Sequence, residues 1–194
     1  MMNITKERRQ AALSRQIVRL DLRLSQLQRK SSQLSWIRLA VFTIGLLLSG
    51  AAWYFFGWPV LWFSLGLTLL GFGGIVYQHR QLNASIDRYE SWRQIKQTQL
   101  ARMNLDWNSL PGMTRFAPRY DHPFEADLDL VGEYSLHRLL DTAVSLEGSR
   151  TLRQWLTEPR PPLGCIKHRQ QLVQELIPRS LFRDKLTLSA TLAT

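Results

Sequence analysis

The chain has 194 residues, with 25 Lys and Arg against 15 Asp and Glu and a single cysteine, Cys165. That length holds one or two small domains, and one thiol excludes both an internal disulfide and a cysteine-rich zinc site. The net charge of +10 suits either nucleic acid or an anionic membrane surface.

The distribution of that charge favours the membrane. Residues 1–38 carry nine basic and two acidic side chains, residues 80–120 seven and three, and residues 121–194 nine and ten. The whole excess therefore flanks residues 39–79, 41 positions without Asp, Glu, Lys or Arg. Basic flanks around an apolar run report the positive-inside rule and attraction to anionic lipid. Charge alone does not support DNA binding by these flanks.

The first predicted element covers residues 1–36. Leu13, Ile17, Leu20, Leu24, Leu27, Ser31 and Leu34 alternate spacings of four and three, a heptad seam with one polar interruption. Arg15, Arg19, Arg23 and Arg29 lie off the seam. The pattern predicts a coiled-coil helix, paired either within the chain or with a second copy as a homodimer.

Residues 37–78 are expected to form a transmembrane helical hairpin. As one helix, the 41 residues would reach about 60 Å, twice the roughly 30 Å of a bilayer core. Two spans fit, near 37–56 and 59–78, broken at Phe56-Gly57-Trp58-Pro59. Glycine permits unusual backbone angles there, and proline disfavours helix at the residue before it. Trp53, Tyr54, Trp58 and Trp62 cluster at the bend, and Trp36 and Tyr77 mark the opposite ends. Such aromatics favour membrane–water interfaces. The run starts too late and continues too long for a cleavable leader. Gly45 and Ser49 make a small-xxx-small pair that lets the two spans approach. The predicted topology is two-pass in the cytoplasmic (inner) membrane, with both termini cytoplasmic.

Residues 79–103 continue as a helical arm, with Leu82, Ile86, Tyr89, Arg93, Lys96, Leu100 and Met103 at the same spacing. Residues 104–123 read as a linker, rich in proline and without periodicity, which Trp107 and Phe116 could pin to a neighbour. Residues 124–194 read as a helical bundle opened by a short extended piece. In Ala126–Gly132 apolar and acidic residues alternate, as in a strand with one wet face. Asp127 and Asp129 suit that solvated face better than a metal site. A helix on Leu136, Leu139, Leu140 and Ala143 breaks before Ser145, which caps the next helix near Glu147. That helix presents Leu152, Trp155 and Leu156 and stops at Pro159, with Arg150 and Arg153 directed elsewhere. Two further helices carry Ile166, Val173, Leu176 and Ile177, then Phe182, Leu186 and Leu188. His122, His137 and His168 have no evident catalytic partner.

The stretch SLHRLLDTAVSLEGSRTLRQWLTEP, followed by IKHRQQLVQEL, resembles the start of the core, or lever, domain of MutS-family proteins. Ser135, Leu136, Leu140, Thr142, Gly148, Leu152, Trp155, Leu156, Pro159, Arg169 and Gln170 occupy its pattern positions. The arrangement of two spans, a helical arm and HPFEADLDL ahead of the core is similar to membrane-associated MutS-like proteins. The resemblance implies an all-α fold in which most of these residues are structural. It also implies ATP hydrolysis with Mg²⁺ through a C-terminal P-loop domain, and association with DNA.

Neither GxxxxGK[ST] nor the Phe-x-Glu of mismatch readers occurs here. The expectation is therefore a non-catalytic chain with no cofactor of its own: the membrane anchor and partial core of a MutS-like ATPase. An N-terminal fragment is expected, with its last twenty residues poorly ordered because small cores are marginal. The alternative is a membrane-tethered coiled-coil scaffold that recruits a protein partner.

Overall fold

The computed structural model describes residues 2–56, 58–111 and 116–193, with side chains for all of these except 2–5, 52, 53, 55, 56, 58, 60 and 61. The described residues contain helices and turns and no strand. Met1–Ile17 with Ser91–Thr194 make one compact unit, and Val18–Glu90 make a second.

Two helices dominate the chain: α1 (Met2–Phe56) and α2 (Trp58–Asn104). At 55 and 47 residues they would extend about 80 and 70 Å. Pro59 sits in the first turn of α2, where a missing N–H costs nothing. Helix continues without interruption across positions 36–37 and 78–79, so arm and apolar span are successive stretches of one rod.

In the unit Val18–Glu90 the two helices are antiparallel. Ser31 meets His79 and Asn83, Phe42 meets Phe72, and Gly45 lies against Thr68. The heptad seam is what they share: Leu24 is buried, and Leu20, Leu27, Ser31 and Leu34 are half-buried. The α1 seam thus pairs with α2 of the same chain. A Cβ at Gly45 would overlap the Thr68 side chain, so glycine is what permits this approach. Phe42 and Phe72 pack with ring centroids 5.8 Å apart.

In the other unit α2 ends at Asn104. Leu105 adopts φ +55°, and Asp106 N–H reaches back to the Ala101 carbonyl at 2.9 Å. This is the left-handed helix stop usually given to glycine. A 3₁₀ turn (Trp107–Ser109) follows. Next come α3 (Leu136–Leu140), α4 (Leu146–Thr157), α5 (Leu163–Leu176) and α6 (Ser180–Ala193). Ser135 and Ser145 cap α3 and α4, accepting from Arg138 N–H and Gly148 N–H. A Cβ at Gly148 would stand 3.0 Å from Ala143 Cβ, so the entry to α4 is tight.

Three expectations need correction. Ala126–Gly132 is not extended: Leu128, Asp129 and Leu130 N–H groups fold back onto Phe124, Ala126 and Glu125 carbonyls. Asp129 is left-handed at φ +48°. The alternation arises from a turn wrapped around a buried Glu125, with Leu130 and Val131 inside. Trp155 is not a core side chain but 47% exposed. Most of the last twenty residues form α6, with Leu188 and Asp184 buried.

Candidate functional site

Charge and hydrogen bonding in the unit Met1–Ile17 with Ser91–Thr194 concentrate on two carboxylates. The first is Glu125, fully buried in the turn. Its oxygens accept from Arg119 N–H at 3.2 Å, Arg119 Nε at 3.1 Å and the Arg153 guanidinium. Burial alone would push the carboxyl up. The bonds from Arg153 and Arg119, with the charge of Arg153, outweigh that and hold it below the ordinary glutamate value.

Arg153 also stacks on Phe116 at 5.2 Å, and Phe116 meets the edge of His137 at 5.6 Å. His137 is buried and its Nε2 donates to the Ser149 carbonyl at 3.0 Å. His122 Nε2 donates to the Thr157 carbonyl at 2.9 Å. Both imidazoles therefore staple loop to helix. On either side of residues 112–115, two aromatics make these contacts: Phe116 as above, and Trp107 against Tyr134 at 5.6 Å with Arg138 over its ring.

The second carboxylate is Asp184 on α6, also buried. Lys96 Nζ of α2 lies 2.5 Å from Oδ2, and Gln99 Nε2 lies 2.7 Å from Oδ1. One turn on, Arg102 donates to the Asp141 carbonyl, while the Asp141 carboxylate accepts from Ala143 N–H and Ser149 Oγ. Burial pulls the Arg102 guanidinium below its ordinary value, and Asp141 partly opposes this. Gln99, Arg102, Asp141, Thr142 and Thr187 border a groove of about 240 Å³. These groups bind one another, so the cluster is built to hold α2 to the helices that follow it rather than to transfer protons.

The residues of the MutS-like pattern scatter over this unit. Ser135 is buried as a cap, Gly148 receives its close neighbour, and Leu152 and Leu156 are half-buried. Leu136, Leu140, Thr142, Pro159 and Gln170 are exposed. Trp155 and Arg169 do meet, with the guanidinium 4.2 Å from the ring centroid. Sequence reasoning missed Glu125, Arg153 and Asp184, and read Lys96 only as an arm position. The available signal was Lys96 itself, a charge at an apolar seam position.

The unit Val18–Glu90 carries the aromatic positions. Trp36, Tyr54, Trp62 and Tyr77 are 71, 83, 56 and 65% exposed. The side chains of Trp53 and Trp58 lie outside the described residues. Leu39, Phe42, Ile44, Leu46, Leu47 and Leu48 are exposed along α1. Among the described residues one helical stretch, Lys6–Ala51, is long and apolar enough to cross a membrane, and only 6% of its most apolar window is buried.

No family model matches the chain, and no solved structure matches it. A 53-residue stretch is 36% identical to the DNA mismatch repair protein MutS of Methanothrix thermoacetophila. The match covers 27% of this chain and 6% of that protein. The chain is thus similar to MutS over a short stretch.

Proposed function

We propose that this chain is a two-pass membrane anchor carrying a MutS-like helical headpiece, with both termini on the cytoplasmic side of the inner membrane. One observation carries the reading. The apolar C-terminal third of α1 is exposed, although its seam against α2 is satisfied. A row of outward leucines and phenylalanines at a rim of Trp and Tyr needs a nonaqueous solvent. The second span, near 59–78, belongs to the same reading and rests on its sequence.

The headpiece, the unit Met1–Ile17 with Ser91–Thr194, supplies the MutS side of the proposal, because the pattern from Ser135 to Gln170 lies in it. The short similarity of the chain to a DNA mismatch repair protein supports a MutS-related role at DNA. In this reading residues 1–194 catalyse nothing, and ATP with Mg²⁺ belongs to the P-loop domain of MutS-like proteins. The test is vesicle flotation combined with reporters fused to each terminus. The expected chain floats, resists alkaline extraction and keeps both reporters out of the periplasm. A monodisperse protein in detergent-free buffer, or a periplasmic terminus, overturns it.

A second reading, a tethered scaffold for a protein partner, is favoured by the exposed Val173, Ile177, Leu181, Phe182 and Leu186 on and between α5 and α6. Duplex DNA binding by the nanodisc-embedded chain discriminates the two. Binding that survives neutral substitution of Arg8, Arg9, Arg15 and Arg19 supports the MutS-like role. Loss of all binding with those four residues shows plain electrostatics and leaves the scaffold.

A further inference from the structure

We propose that the hairpin holds one anionic phospholipid in a groove at its cytoplasmic rim. The proposal rests on the membrane reading above. The groove lies between α1 and α2 within Val18–Glu90 and encloses about 490 Å³, a volume within the ordinary range for small-molecule sites. Its lining is graded along the helix axis. Ser32 and Ser35, one turn apart, and Arg38 a further turn on supply hydroxyl and guanidinium donors beside Trp36. Leu39, Phe42 and Phe72 follow on the side of the apolar run.

That grading is the grading of a phospholipid. From Ser32 to Arg38 is about 9 Å along the axis, comparable with the 5–8 Å headgroup layer of one leaflet. The tilted Phe42–Phe72 pair lies where acyl chains begin. An interfacial Trp beside the donors fits that depth.

Charge decides which lipid. No Asp or Glu occurs between Asp21 and Asp87, so Arg38 has no acidic residue in that whole stretch to neutralise it. A guanidinium recognises a phosphate diester through paired N–H bonds, and the two hydroxyls can complete the oxygen shell. A zwitterionic lipid would bring its own cation into a region that already holds Lys30, Arg38 and Arg80. A phosphatidylglycerol-type headgroup brings none.

The test uses the full chain in phosphatidylcholine nanodiscs doped with fluorescent phosphatidylglycerol. Energy transfer from the tryptophans to the labelled lipid reads its retention. Arg38→Ala is expected to weaken retention roughly tenfold, and Ser32→Ala with Ser35→Ala about threefold. Arg80→Ala removes the same charge from α2, farther from the apolar run and outside the groove, and is expected to change it less than twofold. Inorganic phosphate should not displace the lipid, because it lacks the apolar half of the contact.

Equal losses for Arg38→Ala and Arg80→Ala, with no effect of the serine pair, would show general surface potential and overturn the site. The membrane reading would survive that result. Displacement by inorganic phosphate would also overturn it, as a bare anion site. A chain that fails to enter nanodiscs at all would remove both proposals together.

Discussion

Lys96 and Asp184, 88 positions apart, form a buried ion pair, with side chains 8% and 4% exposed and 2.5 Å between Nζ and Oδ2. The pair ties the last turns of α2 to α6. Removing one partner leaves an uncompensated charge inside, which typically costs 3–5 kcal/mol. Lys96→Met or Asp184→Leu alone should therefore destabilise the headpiece by about that amount in denaturant titration. The double variant should recover most of it, since an apolar pair replaces a desolvated one. Hydrogen exchange over 180–193 should rise in the single variants and fall back in the double.

Glu125 should make the headpiece acid-sensitive. Its folded value is held below that of an unfolded glutamate, near 4.3. The stability it contributes is full above the unfolded value and is lost as pH falls through the folded one. Glu125→Gln should thus cost about 3 kcal/mol at neutral pH and flatten the stability profile below about pH 4.5. Denaturant midpoints across that range are the measurement. An unchanged slope would show that other carboxylates carry the acid response.

Leu105 occupies a left-handed conformation at φ +55° and is 57% exposed. A leucine there pays a steric cost that glycine does not. Leu105→Gly should raise headpiece stability by up to about 1 kcal/mol, with the α2 stop unchanged. Loss of stability would mean that the leucine contributes more by packing than it costs in backbone strain.

Ser145→Ala should cost about 1 kcal/mol by freeing the Gly148 N–H it caps. Gly148→Ala attacks the same entry from the other side, because the added methyl meets Ala143. Both should loosen 145–150 in amide exchange while leaving the hairpin unaffected.

Gly45→Leu should force α1 and α2 apart at Thr68. Disulfide trapping between Phe42→Cys and Phe72→Cys, in a Cys165→Ser background, reads this directly. The cross-link should form with Gly45 present and be lost with leucine.

Periodicity made the long helices legible. The heptad seam on Leu13 to Leu34 and its weaker counterpart on Leu82 to Met103 are the positions the helices bury or half-bury, Tyr89 excepted. The end of α1 at Phe56 and the start of α2 at Trp58 are legible because Gly-Trp-Pro leaves little choice of helix end. Ser145 is legible as the cap of α4 because capping is a local code, whereas Ser135, which caps α3, is read from the sequence only as a pattern position. The strand-like alternation of ADLDL misled, since two turns of buried and exposed residues imitate a pleat when a distant arginine holds the centre. Arg153 and Glu125 are 28 residues apart, and Lys96 and Asp184 are 88 apart. Such pairings follow from tertiary packing, and no spacing rule announces them. Trp155 shares the apolar positions of its helix with Leu152 and Leu156, yet it is exposed and Arg169 stacks on its ring.

The polar layer of Ser31, His79 and Asn83 interrupts an otherwise leucine-rich seam. A slip of one heptad would carry His79 from Ser31 to Leu24 in one direction, stranding its ring nitrogens, and to Arg38 in the other, trading a hydroxyl partner for a guanidinium. The paired rods are thereby forbidden to slide like a piston. Whatever mechanical message passes along them must travel as tilt or twist, which a keyed shaft transmits and a greased one does not.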